Sequence, residues 1–291
     1  MVFSNTRAHL VKTILASRFR NLLLLVVVAP FCFGGLNAKA NLLTTFPEMG
    51  DLLRWAAFSL GGGINSTDTF ADQFSGTTDI IGDVGIAGDG NLTMSGGATI
   101  HGDLYYYSTG TLKKNGNANV TGNTYHGLAY DVQLNNGITE AMNTAAHAFA
   151  LGPTPTGSIN LSDHQNLTIF ATGPVTVLSL QNFSLSGGST LTLQGTATQN
   201  FVLNVSNQFS LTGSSKIVLS GGVAWDCVLF NVVNNGSDVT VSGQSILNGV
   251  LMANKRTASL SGGSTVNGEV IANKITLSGS SVINHPPLSS P

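Results

Sequence analysis

The line LSGGSTVNGEVIANK at residues 260–274 repeats, nineteen residues on, the line VSGQSILNGVLMANK at residues 241–255. A line that recurs in Ser, Gly and Asn, with little in it that does chemistry, specifies a shape laid down again and again. Aligned on the residue before the turn glycine, the two lines become eight, anchored at Ser75, Ser95, Asn115, Ser186, Thr212, Ser242, Ser261 and Ser278. One residue before each anchor the chain is apolar, except at Lys114. A second inward column is expected to run Ala71, Leu92, Leu112, Phe183, Phe209, Val239, Ala258 and Ile275.

Between these two columns stands a third: Gln73, Thr93, Lys113, Ser184, Ser210, Thr240, Ser259 and Thr276, six of them Ser or Thr. Apolar, hydroxyl, apolar is the period-2 mark of a strand with one buried face. The glycine after each anchor marks a corner, where a left-handed backbone costs least. Anchor spacings are 20 and 20 at the front, then 26, 30, 19 and 17 at the back. Short strands and glycine corners at such a period predict an all-β solenoid whose coils pair only with their neighbours.

Residues 135–153 break the alternation. Ile138, Ala141, Met142, Ala145 and Phe149 fall on one helical stripe, and Gly152-Pro153 is a helix stop. A helix over about 136–151 is expected to lie along a flat side of the solenoid. Ahead of the repeats, Arg7, Lys12, Arg18 and Arg20 precede the apolar run LLLLVVVAPFCF and a small-x-small site at Ala38-Lys39-Ala40. That order predicts an export signal over 1–40, too short in its apolar part to span a bilayer. The expected organisation is then a cap over 41–70, the solenoid over 71–287 and a tail over 288–291.

Five of the twelve Lys and Arg lie before residue 41 and none of the fourteen Asp and Glu does, so the rest of the chain is acidic by seven charges. An acidic chain does not seek phosphate backbones, which argues against nucleic acid as a partner. Beyond the signal only Cys227 remains, among apolar neighbours, so it reads as a small buried hydrophobe and no internal disulfide is available. An apolar share of 42% separates the chain from disordered linkers of similar polar flavour.

Residues 227–287, CVLFNVVNNGSDVTVSGQSILNGVLMANK through NKITLSGSSVINHPP, resemble the end of the choice-of-anchor A family of exported bacterial surface proteins. The layout of front rungs, one helix and a longer run of back rungs is also similar to the ice-binding-like adhesive solenoids. The resemblance implies a right-handed β-helix with one α-helix packed alongside, secreted or held at the cell surface. It carries no cofactor with it.

Catalysis finds little footing. His101, His126, His147, His164 and His285 are scattered without metal-ligand spacing, and no nucleophile elbow or phosphate loop occurs. Asp83 and Asp103 fall in equivalent positions of successive coils and form a calcium candidate, since hard cations want several oxygens. The feature suited to a specific surface task is the hydroxyl column, Thr93, Ser184, Ser210, Thr240, Ser259 and Thr276. The sequence therefore leads first to a non-catalytic surface, matrix or adhesion protein that meets a glycan or matrix ligand. Ice binding through the same ladder comes second, and a carbohydrate-active enzyme third.

Overall fold

A computed structural model describes residues 41–63 and 71–289. The expected signal at 1–40 lies outside the described residues, as do 64–70 of the expected cap and the last two residues of the tail. The chain winds as a right-handed β-helix with three strands per coil, and every strand pairing is parallel. The first coil places Asp72–Phe74, Asp79–Ile81 and Asp83–Ile86 on three successive faces. Leu92–Met94, Thr99–His101 and Leu104–Tyr106 stack on them, followed by Leu112–Lys114, Asn119–Val120 and Thr124–His126. In the second half strands run on around the corners, so that Ile246–Ser261 serves all three faces in turn.

Chain order and spatial order differ. The last long strand, Thr265–Leu277, pairs with the first ladder strand through Thr276–Gln73 and Leu277–Phe74. Val282–Asn284 pairs with Asp79–Ile81. Strand Trp55–Ser59 slots between Thr265–Leu277 and Asp83–Ile86. The coil at this seam is composite, with two strands from the end of the chain, the last part of Thr265–Leu277 and Val282–Asn284, and one, Trp55–Ser59, from its beginning. Front and back rungs thereby form one stack, whose outer ends are the coil at 112–126 and the coil at 157–170.

The stacked apolar columns fill the interior. Phe183 and Phe209 lie parallel with ring centroids 4.8 Å apart, and Ile80, Ile100, Leu191, Ile217, Leu247, Val266 and Ile283 line the next wall. At the corner between these walls the fourth residue of each turn points inward, and Ser189, Ser215, Ser264 and Ser281 are fully buried there. They pair across coils, Ser189 with Ser215 and Ser264 with Ser281, each at 3.3 Å. Serine recurs in the repeat because a buried hydroxyl fits this tight corner and finds its partner one coil away.

Two departures from the columns have physical causes. The inward residue of the first strand is Asp72, one position on from Ala71, and it pairs with Leu92. Lys114 belongs to the outermost coil, where it is exposed, and a lysine on an edge strand blocks further pairing. The 30-residue spacing before Ser242 is held by another residue that the repeat does not announce, Arg256, 3% exposed. Its guanidinium donates to the carbonyls of Ser206, Asn207, Val233 and Asn234 and fastens the extra loop to the corner.

The helix runs over Leu128–Leu151, eight residues longer at its start than the expected 136–151. Its buried side is Leu134, Gly137, Ile138, Ala141, Thr144 and Ala148, whereas Met142 and Phe149 are 43% and 36% exposed. The expected stripe is thus rotated, because close approach selects small residues over large ones. Gly137 shows why: a Cβ there would sit 2.5 Å from the Phe58 ring. Asparagines on the solenoid secure the helix, with Asn204, Asn231 and Asn254 donating to the carbonyls of Ala148, Ala145 and Ala141 at 2.7–3.0 Å. The described part of the cap, residues 41–63, adds buried Leu42, Phe46, Met49, Leu52 and Leu53 to the same cluster.

Gly137→Ala should therefore lower unfolding stability by about 1–3 kcal/mol in a denaturant titration, the usual cost of overpacking. Gly157→Ala, where no atom lies within 4 Å of the added carbon, should leave it unchanged.

Candidate functional site

With one face covered by the helix and cap, two flat faces remain. On the first, the six expected hydroxyl residues form a single file. Ser184 pairs with Ser210, Ser210 with Thr240, Thr240 with Ser259, and Ser259 with Thr276. The file crosses the seam through Gln73 to Thr93 and closes at Lys113. At its other end Asn160 precedes Ser184. All six are half-buried, so their stems are packed and their hydroxyls reach the surface.

A second file runs beside the first. Ser186, Thr212, Ser242, Ser261, Ser278, Ser75 and Ser95 lie two residues further along each strand, on the same side of the sheet. Ser242 pairs with Ser261. The amides of Ser186, Thr212, Ser278, Ser75 and Ser95 each donate to the inward residue one coil before, which keeps this file in step. Sequence reasoning treated these positions only as corner anchors. The signal that reveals them is the doublet itself, Ser-Leu-Ser, Ser-Leu-Thr, Thr-Val-Ser, Ser-Leu-Ser and Thr-Leu-Ser. Immediately beyond, Gly187, Gly213, Gly243, Gly262, Gly279, Gly76 and Gly96 turn the corner with φ between +59° and +76°.

The result is a flat grid of hydroxyls spaced by the coil repeat, about 4.8 Å along the axis. Each hydroxyl can donate and accept, so the grid can hold waters at both its own spacings. Apart from Gln73 and Lys113 it carries only hydroxyl side chains between the ends of the two files. Its backing is rigid, because Leu185, Leu211, Val241, Leu260, Leu277, Phe74 and Met94 between the two files are all at most 1% exposed.

The other flat face is chemically mixed. One of its outward files reads Asn166, Thr190, Lys216, Ile246, Thr265, Val282, Asp79, Thr99 and Asn119. Its neighbour includes an amide ladder, in which Asn284 donates to Asn267 and Asn267 to Asn248. Such a face offers no single repeated group.

Asp83 and Asp103 do stack one coil apart, and one oxygen of each accepts a backbone N–H from the coil that follows. Asp83 accepts the Asp103 N–H at 2.9 Å and Asp103 accepts the Asn123 N–H at 2.7 Å. Asp83 also lies 3.7 Å from Arg54. These carboxylates cap the backbone of the next coil, and that is the role the structure shows for them. Among the described residues no three His, Cys, Asp or Glu gather as a metal site. The histidines make separate contacts, His101 with Asp79, His126 with the Ser108 carbonyl, His147 with Glu48 and His285 with the Leu53 carbonyl. Cys227 is buried, as its neighbours imply. No helix among the described residues is long and apolar enough to cross a membrane.

Comparison with known proteins bears on this geometry. The ice-binding-like family model matches residues 67–283. A glycosylated ice-binding protein from Arctic yeast shares the fold with a TM-score of 0.57 and 18% identity, over 84% of this chain and 95% of that one. The DUF3494 domain of ice-binding protein 1 from Shewanella frigidimarina is similar with a TM-score of 0.51 and 16% identity, over 82% and 97% of the two chains. No curated protein matches the sequence.

Adding calcium or a chelator should leave the thermal midpoint where it is. Asp103→Ala, which strips the Asn123 amide of its acceptor, should cost about 1 kcal/mol in a denaturant melt. A midpoint that climbs with calcium would restore the cation site.

Proposed function

Because the chain belongs to the ice-binding-like family, we propose that it binds ice, and that the double hydroxyl file is the surface that meets the crystal. The observation that carries this reading is the register: Ser and Thr recur at one position through five consecutive coils, from Ser184 to Thr276, with a second Ser/Thr file beside them. Ice presents oxygens at a fixed spacing close to that of stacked β-strands. A rigid grid of hydroxyls can order a patch of water that already fits the lattice, and the threonine methyls keep that water from dispersing. Each hydroxyl contributes little by itself. Because the backbone ladder fixes all of them before contact, little conformational entropy is lost on binding.

The adhesion reading, first on sequence grounds, gives way to ice. Sugar recognition relies on exposed rings and clustered polar groups, and neither hydroxyl file contains an aromatic residue. The likeness of residues 227–287 to choice-of-anchor A proteins supports retention at a cell surface as an accompaniment to ice binding. The basic and apolar leader at 1–40 supports export, which would bring the ladder to extracellular ice. Turnover of a polysaccharide is not proposed.

The test uses the chain from residue 41 onward, fluorescently labelled and offered to a growing ice crystal, with thermal hysteresis measured in parallel. Wild type should enter the ice and open a freezing gap. Thr240→Tyr with Ser259→Tyr should lose most of that gap while keeping the wild-type melting curve. Thr192→Tyr, on the mixed face, should keep it. Loss through Thr192 alone would move the site to the mixed face, and exclusion of wild type from ice would end the reading.

A further inference from the structure

Two buried carboxylic acids sit at the seam where the end of the chain meets its beginning. Asp72 is 1% exposed in the inward column of the first ladder strand. One of its oxygens accepts the Ile275 N–H from across the seam, and the Ser59 hydroxyl lies beside it. The other oxygen has no partner. Glu269, 0% exposed, takes in strand Thr265–Leu277 the place that Val250 holds one coil earlier. The adjoining Val270 pairs with Ala57 of the N-terminal strand. Neither Glu269 oxygen has a partner.

Two other buried acids are treated differently. Asp131 accepts from the amide and hydroxyl of Ser108, and Asp226 from the amide and hydroxyl of Ser289. An ionised carboxylate at either seam position would lose its hydration without comparable compensation. At Asp72, burial is the dominant influence and pushes the carboxyl up to about 7. The Ile275 amide, Ser59 and Lys274 favour the charged form, and Asp89 opposes it. At Glu269 burial alone acts, raising the carboxyl well above its ordinary range.

We propose that the seam is a proton-linked closure, shut while Asp72 and Glu269 are neutral and released when they ionise. The closed seam retains both protons, whereas the opened seam lets each acid ionise in its ordinary range near pH 4. Stability from Asp72 is therefore complete below about pH 4 and is lost as pH rises to about 7. The Glu269 contribution has the same sign and is lost as pH rises from the ordinary glutamate range toward its raised one. Each acid shifts the balance toward opening by up to about tenfold per pH unit within its window. His285, packed against Gly82 and held by the Leu53 carbonyl, is kept neutral by burial and works in the opposite direction as pH falls through its ordinary range. The comparison of variant with wild type removes its influence.

Hydrogen exchange on the chain from residue 41 onward, between pH 5 and 9 and corrected for intrinsic rates, reads the seam directly. The amides of Ser75 and Asp79 bridge it to the carbonyls of Leu277 and Ser281, while the amide of Thr212 bonds to Leu185 well inside the C-terminal coils. Protection at Ser75 and Asp79 should fall with pH more steeply than at Thr212. Asp72→Asn and Glu269→Gln should each flatten that slope, by up to about tenfold per pH unit. Equal slopes in wild type and variants, or equal slopes at the seam and at Thr212, would overturn the proposal. If Asp72→Asn does not fold, Glu269→Gln decides the matter by itself.

Discussion

Everything in this molecule follows from parallel strands held in register from coil to coil. A parallel ladder places each residue directly beside its counterpart one turn away, so a residue type repeated in sequence becomes a file in space. Facing inward, the files are stacks of Leu, Ile, Val and Phe. At the corner they are paired serines, and on the open face they are hydroxyls. On the covered face they are asparagines that reach the helix carbonyls. The four surfaces differ in chemistry and share one cause.

That cause also explains how a chain with few charged groups can present a specific surface. The helix and cap occupy one of three faces and leave the hydroxyl face open, while small residues at Gly137, Ala141 and Ala148 let the helix pack closely. Arg256 secures the long loop away from the files by donating to backbone carbonyls. The grid is accordingly fixed by the backbone ladder and by the apolar wall directly behind it.

Much of this was legible in the sequence, and the rest was hidden for identifiable reasons. The period, the inward columns and all six hydroxyl residues could be read, because a solenoid writes its contacts at short and nearly constant sequence distance. The second hydroxyl file was visible as the Ser-x-Ser doublet but was assigned to the corner. Where contacts are distant, the sequence was mute. Nothing near Asp72 announces Ile275, so the first column was read through Ala71. Nothing near residue 137 announces Phe58, so the helix was rotated toward Met142 and Phe149. The carboxylates of Asp83 and Asp103 were placed one coil apart correctly, yet the backbone amides that occupy them could not be seen.

The composite coil also constrains the order in which the molecule can be built. Asp72 and Ile275 are 203 residues apart in the chain. As synthesis proceeds from the N-terminus, the first three coils emerge with one edge unpaired, and they wait for nearly the whole remaining chain before it is covered. Contacts of such separation are slow to form, and waiting strand edges invite wrong partners. The C-terminal coils, by contrast, can stack one after another as they appear. The hydroxyl files become continuous only when Thr265–Leu277 joins Asp72–Phe74.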